Sequence, residues 1–176
     1  MQYYIGLFLG LGVYLYSIFL LNSEKLNTTW NSILLCASVL SGVAIGRMGS
    51  SFMLPYYITQ SISDKKEKKV YAVLNYVIIG CCIFYNGITW WSLLMCLGLF
   101  LLSFKFGSGD IKCLVAMCIL LRQPLFHDSL FYLLLFLLVS ELFFICSRII
   151  KKTPKKERTA FFPAMFFSYG IMLILL

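Results

Sequence analysis

Charged residues are scarce in this sequence of 176 residues: they make up 12% of it, whereas hydrophobic residues make up 61%. So little charge excludes a soluble globular domain, and several segments approach the ~20 apolar residues that span a lipid bilayer. A chain of this length has no room for a sizeable soluble domain beside such segments. The composition therefore predicts one all-α membrane domain over residues 1–176, surrounded by the lipid bilayer.

Acidic residues are fewer still, with 7 Asp and Glu against 15 Lys and Arg and a formal net charge of +8. An excess of positive charge is typical of proteins that bind nucleic acid. Here, however, the lysines and arginines lie between apolar runs, where they set membrane topology and meet anionic lipid. We therefore expect no nucleic-acid partner.

Side chains that bind metals are also few. The one histidine, His127, has no neighbouring ligand set, and none of the seven cysteines forms a Cys-x-x-Cys pair. The cysteines lie almost wholly inside apolar runs, where cysteine is usually a small buried hydrophobic residue. We expect no metal site and no cofactor.

The apolar runs predict a polytopic bundle of about six to seven transmembrane helices. Residues 2–21 lack a basic n-region and a small-residue cleavage site, so we expect a retained helix there and not a signal peptide. Residues 32–62 are too long for one upright helix, and residues 46–49, which begin and end with glycine, and Pro55 interrupt them. We favour one kinked, tilted helix here over a span followed by an interfacial helix. The later spans are predicted at residues 70–86, 88–105, 110–121, 129–150 and 161–176.

The connections between these spans alternate in charge. Three of them are basic, namely residues 65–69, Lys105 with Lys112, and residues 148–158. The turn at Asn86 and Gly87 carries no charge. Basic connections stay on the cytoplasmic side of a membrane, so these three are expected there. If residues 32–62 cross only once, the amino terminus is also cytoplasmic.

Two of the few acids, Asp64 and Asp110, end one apolar run and follow another, 46 positions apart. That interval holds one complete hairpin, whose two helices rise about 25 Å each, so both carboxyl groups should reach the same membrane face. Two such groups sharing a proton can activate water and protonate a scissile carbonyl, which is the chemistry of an aspartyl protease. Alternatively, Asp110 only caps its helix and Asp64 only solvates a basic turn. The acid and base roles stay unassigned.

Further residues could support this site. Gly107 and Gly109 would let the backbone approach a bound peptide and adopt positive φ. Lys112 would favour a carboxylate at Asp110, or else serve topology alone. Glu141 lies inside an apolar run, where an acid is costly unless it is paired. It is a candidate for function, for a structural bond to a neighbouring helix, or for snorkelling toward the interface.

At these residues the chain resembles the type IV prepilin leader peptidases, which are GxGD aspartyl proteases. Residues 107–112 match the family's Gly-x-Gly-Asp-hydrophobic-Lys pattern, and residues 63–70 lie where the family has its first aspartate and a basic turn. Residues 162–170 look like its proline-aromatic helix. Tyr71 departs from the family, which commonly has a proline there. The resemblance divides the domain into amino-terminal helices, 1–61, and a peptidase core, 62–176.

The resemblance implies an aspartic endopeptidase in the bacterial cytoplasmic (plasma) membrane, with Asp64 and Asp110 catalytic on the cytoplasmic side. Its substrates would be prepilins or pseudopilins, from which it would remove a basic leader peptide. The longer members insert a cysteine-paired domain associated with N-methylation; this chain resembles a short form without it, so methyltransferase activity is not expected. Two alternatives are a presenilin-like intramembrane aspartyl protease and a non-catalytic membrane scaffold or transporter. The sequence specifies neither the pilin nor the oligomeric state.

Overall fold

The computed structural model describes residues 2–26, 28–47, 49–102, 108–121, 126–150 and 160–175. Within these residues it contains eight α-helices and no strand, which confirms the predicted all-α class. The helices are α1 (Gln2–Ser23), α2 (Thr29–Ile45), α3 (Ser50–Glu67), α4 (Ala72–Asn86), α5 (Trp90–Leu102), α6 (Ser108–Leu120), α7 (Phe126–Ile150) and α8 (Phe162–Leu175).

Two of these helices are long and apolar enough to cross a membrane. They contain Tyr3–Ser23 in α1 and Leu130–Ile150 in α7, with mean hydropathies of 2.0 and 2.4. Four shorter apolar helices accompany them, over Thr29–Ile45, Ala72–Asn86, Trp90–Leu99 and Phe162–Leu175. The two long helices give a weak indication of membrane association, and the six to seven crossings remain a prediction.

The predicted single helix over residues 32–62 is wrong, because the structure has two antiparallel helices there. Gly46 ends α2 with a φ of +64° and donates its N–H to the Gly42 carbonyl, and Gly49 precedes α3 with a φ of +60°. Both angles lie in the left-handed region that glycine tolerates, so this pair reverses the chain. The Ser50 hydroxyl then donates back to the Gly42 carbonyl over 2.6 Å.

Pro55 lies within α3 and does not end it. α1 approaches α3 closely at the carbonyl group that Pro55 leaves without a helical hydrogen bond. Pro55 has no N–H for the carbonyl of Ser51, four residues earlier. A Cβ added at Gly10 of α1 would lie 2.7 Å from that carbonyl oxygen, so only glycine permits this approach. The Ser51 hydroxyl also donates to the Gly6 carbonyl over 2.7 Å. The two helices therefore pack partly through their backbones.

α3 is central to the bundle although it is polar. Its buried residues include Thr59, Gln60, Ser63 and Asp64, each at most 6% exposed. Such a helix can lie inside a membrane protein when neighbouring helices satisfy its polar groups. Its polarity explains why apolar runs alone did not identify it as a separate helix.

The directions of the helices follow from contacts between their ends. α3 and α4 are antiparallel, because Gln60 bonds the backbone of Tyr71 while the ring of Phe52 contacts Tyr85, with centroids 5.6 Å apart. α4 and α6 are parallel, because the Asn86 side chain at the end of α4 donates to the carbonyls of the last residues of α6. Thus α3 ends where α4 and α6 begin.

We call this end of the bundle the basic end, because positive charges gather there. Those that the structure describes are Lys25, Lys65, Lys66, Lys68, Lys69 and Lys112, with Arg148 in the last turn of α7. Arg47 lies in the turn at the other end. α1 also begins at that other end, since Gly6 contacts Ser51 there. The expectation that the amino terminus shares a side with the basic connections required a single crossing in residues 32–62, and the bundle does not have it.

Candidate active site

Asp64 lies in the last turns of α3 and is 6% exposed. Its Oδ2 accepts hydrogen bonds from the backbone N–H groups of Phe161, over 2.7 Å, and Phe162, over 3.1 Å. These N–H groups belong to the start of α8, where a helix leaves its first donors without carbonyl partners. Two such donors and the positive end of the helix dipole stabilise negative charge at this oxygen.

The sequence around Phe162 explains why α8 begins beside Asp64. Pro163 occupies the first turn, where the missing N–H costs no helical hydrogen bond and the fixed φ suits a helix. The ring of Phe162 packs edge-on against Tyr56 of α3, with centroids 6.1 Å apart. Phe161 packs likewise against Phe144 of α7, at 5.2 Å. The start of α8, which Asp64 caps, is therefore held by ring contacts with both α3 and α7.

Asp110 lies in the first turn of α6 and is partly buried. It interacts electrostatically with the hydroxyl of Tyr56 and the thiol of Cys113. Cys113 in turn donates to the Tyr57 hydroxyl over 3.3 Å, which links α6 to α3. Asp110 thus lies beside buried residues of α6 and α3, and α3 is the helix that carries Asp64.

The depths of Asp64 and Asp110 can be compared through the Tyr57–Cys113 contact. Asp64 follows Tyr57 by seven residues on α3, and Asp110 precedes Cys113 by three residues on the antiparallel α6. At 1.5 Å per residue, their α-carbons differ by about 6 Å along the bundle axis. The structure thus brings both predicted catalytic residues to the basic end at comparable depth.

A buried polar network that the sequence reading missed lies between them. The side-chain amide of Gln60 donates to the Tyr71 carbonyl over 3.0 Å and accepts from the Tyr71 N–H over 2.9 Å. Gln60 also donates to Asn75 Oδ1, as does the Tyr56 hydroxyl, each over 2.8 Å. Tyr56, Gln60 and Asp64 follow one another at four-residue intervals, so one face of α3 presents all three. This four-residue spacing is the feature of the sequence from which the polar face of α3 could have been predicted.

Tyr71 occupies the position where prepilin leader peptidases commonly have a proline, and the structure gives its backbone N–H a hydrogen bond. A proline there could not donate the N–H that bonds Gln60. Burial raises the pKa of the Tyr71 hydroxyl above its ordinary value of 10, and the negative charges of Glu24 and Glu67 raise it further, whereas its hydrogen bond with Ser63 lowers it. The hydroxyl therefore stays protonated at neutral pH. This residue fixes the turn between α3 and α4 through both its backbone and its side chain.

The other predicted site residues have different surroundings. Gly107 lies outside the described residues, and Gly109 has helical backbone in α6, so it does not use the positive φ that glycine allows. The Lys112 ammonium lies over the Tyr76 ring of α4, 4.2 Å from its centroid. Being two residues beyond Asp110, it points about 200° around the helix from that acid.

Glu141 is placed apart from the aspartates. It is exposed on α7, next to Ser140, whose buried hydroxyl bonds Ser168 of α8 over 2.9 Å. Ser168 lies six residues beyond Phe162, the residue that bonds Asp64, which places Glu141 about 9 Å deeper than Asp64. An acid on the outer face at that depth does not complete a site with Asp64 and Asp110.

No family model, curated protein or solved structure matches the chain. The resemblance to prepilin leader peptidases therefore depends on short motifs, and function must be inferred from the site itself.

Metal binding and cavities add little to this site. Within the part of the chain that the structure describes, no three His, Cys, Asp or Glu residues are grouped so that they could hold a metal ion. A cavity of about 230 Å³ is lined by residues of α1, α2, α3 and α4 and by the turn after α2, among them Gly6, Gly46, Ser50 and Tyr85. It lies at the end opposite Asp64, and neither aspartate lines it.

Proposed function

We propose that this protein is a membrane aspartic endopeptidase that removes the basic leader peptide from type IV prepilins or pseudopilins. One observation carries the proposal: Asp64 and Asp110, from separate helices, lie at the same end of the bundle and at comparable depth. A pair of carboxyl groups on rigid helix ends is what hydrolysis by two aspartates requires.

The reaction would use the pair as one unit. With one proton shared between them, the ionised carboxylate takes a proton from water while the water oxygen bonds the scissile carbonyl carbon. The other carboxyl group donates its proton to the carbonyl oxygen, giving a neutral tetrahedral diol. The first carboxyl group, now protonated, then donates to the peptide nitrogen, while the other, now ionised, takes a proton from a diol hydroxyl. The C–N bond breaks, the leader acid and the new amine leave, and the pair again holds one shared proton. Asp64 Oδ2 is held by Phe161 and Phe162, so Oδ1 is the oxygen left for this chemistry.

The surface of the outer helices supports a multi-pass membrane position. Large apolar side chains are widely exposed there, including Phe8 at 77%, Leu15 at 65%, Trp90 at 82% and Ile174 at 82%. A water-soluble monomer rarely exposes apolar area so continuously, whereas a bilayer favours it. The basic end would face the cytoplasm by the positive-inside rule. A prepilin could then keep its apolar helix in the bilayer and present its leader at this end.

The test is incubation of the purified protein in lipid vesicles with a prepilin from the same genome, followed by mass spectrometry of the products. We expect one cut where the basic leader meets the apolar helix. A cut inside the apolar helix would favour the presenilin-like alternative, and intact prepilin with a properly inserted protein would favour a scaffold or transporter. No cofactor is added.

A further inference from the structure

Asn75 of α4 has a buried hydrogen-bond donor without a partner. Its side chain is 1% exposed, and its Nδ2 has no acceptor among the described residues. Its Oδ1, in contrast, accepts from both Tyr56 and Gln60. A buried donor left without an acceptor is unfavourable, and in native structures such groups often belong to functional sites.

The orientation of this amide follows from a chain of hydrogen bonds. The backbone of Tyr71 accepts from Gln60 Nε2 and donates to Gln60 Oε1, which fixes the Gln60 amide in one of its two orientations. Gln60 Nε2 also donates toward Asn75, so the atom of Asn75 that faces it must be the oxygen. The Asn75 NH₂ group is thereby turned away from Tyr56 and Gln60. Flipping the amide would turn the Asn75 NH₂ group toward Gln60 Nε2, which can only donate.

The helix register places this NH₂ group level with the first turn of α6. Asn86 of α4 bonds the carbonyls of Ile119 and Leu120, 33 and 34 positions later. The two helices are parallel, so the same separation puts Asn75 beside residues 108–109, next to Asp110. Tyr56 joins the two, because it donates to Asn75 and interacts electrostatically with Asp110.

We propose that Asn75 Nδ2 donates a hydrogen bond to a backbone carbonyl oxygen of the peptide substrate bound between Asp64 and Asp110. This inference rests on the proposed protease function. Asp110 has an interaction of its own, and Nδ2 is not its donor. The acceptor therefore comes from outside the described chain, and a peptide in extended form presents carbonyl oxygens at regular intervals.

The test compares Asn75→Leu with Asn86→Leu in kinetic assays on a prepilin. Each variant replaces an asparagine of α4 by a side chain with the same number and branching of heavy atoms and disrupts two hydrogen bonds, so both should unfold at lower temperature than the wild type. Only Asn75→Leu should raise KM, by about tenfold, with kcat within about twofold of wild type. In an Asp64→Asn background, which binds without cutting, Asn75→Leu should weaken prepilin binding by a similar factor.

Asn75→Ser gives a second measurement should the leucine variant fold poorly, because the shorter hydroxyl can still face Tyr56 but cannot reach the place of Nδ2. Normal cleavage by the wild type with KM unchanged in the folded Asn75 variants would overturn this inference and leave the protease proposal standing. An equal rise in KM for Asn86→Leu would also overturn it, because the effect would then be structural. Absence of cleavage by the wild type would overturn both proposals.

Discussion

Oδ2 of Asp64 lies 2.7 Å from the backbone nitrogen of Phe161, 97 positions later in the chain. This hydrogen bond joins the end of α3 to the start of α8 and makes the last helix part of the candidate site. It also gives Asp64 two roles, as the acceptor that caps α8 and as a candidate catalytic group. Variants that separate the two roles are therefore informative.

Asp64→Asn and Asp64→Ala should differ in stability although neither cleaves prepilin. Asparagine keeps an oxygen that can accept from Phe161 and Phe162, whereas alanine leaves the buried N–H of Phe162 and the partly buried N–H of Phe161 without this acceptor. We expect Asp64→Ala to lose about 1 to 2 kcal/mol more of unfolding free energy than Asp64→Asn. Thermal unfolding in detergent measures this difference, and equal stability of the two variants would argue against the cap.

The α1–α3 contact can be tested with two glycines of the same helix. A Cβ at Gly10 would lie 2.7 Å from the Ser51 carbonyl oxygen, whereas a Cβ at Gly12 meets nothing within 4 Å. Gly10→Ala should therefore destabilise the protein by about 1 to 3 kcal/mol. Gly12→Ala is the matched control and should be neutral or more stable by up to about 1 kcal/mol. A harmless Gly10→Ala would contradict the close approach of these helices.

The hairpin of α2 and α3 makes a prediction about topology. The first residues of α1 lie at the end opposite Lys66 and Lys68, so an amino-terminal epitope should be accessible from outside intact spheroplasts. An epitope inserted after Lys68 should be detected only after the membrane is permeabilised. Detection of both epitopes on one side would show that the two helices do not both cross.

Cleavage should not depend on a metal ion. The chain has one histidine, and its described residues contain no cluster of three ligands. Activity is expected to survive strong chelation, as measured by the rate of leader release before and after treatment. Reversible loss that zinc restores would point to a metalloenzyme instead.

How far the sequence predicts this structure differs from feature to feature. The all-α class follows from composition, and Asp64 and Asp110 stand out because acids are so few. The reversal at Gly46 and Gly49 could not be distinguished from a kink at Pro55, since both residue types interrupt apolar runs and only the tertiary contacts of Ser50 decide between them. Local sequence shows a breaker, not the angle that follows it.

Long-range polar contacts were the least predictable. Nothing near Asp64 indicates that its acceptor serves a helix that begins 98 positions later. In the sequence, Asn75 is a single polar residue in an apolar helix. Its side-chain orientation is set by Gln60 of α3, a contact that the sequence does not show. The four-residue spacing of Tyr56, Gln60 and Asp64 was visible in the sequence, yet only α3 as a separate central helix gives it significance.

The central claim is tested most directly by prepilin cleavage with Asp64→Asn, Asp110→Asn and the double variant, each inserted at normal levels. Asparagine preserves volume but cannot exchange the catalytic proton, so each single variant should lose at least about a hundredfold in rate. The double variant should be scarcely worse, because the two act as one unit. Asp128→Asn is the control, since Asp128 is exposed in the first turn of α7 at the other end, and it should cleave normally. Full cleavage by either Asp64→Asn or Asp110→Asn, or loss with Asp128→Asn alone, would contradict the account.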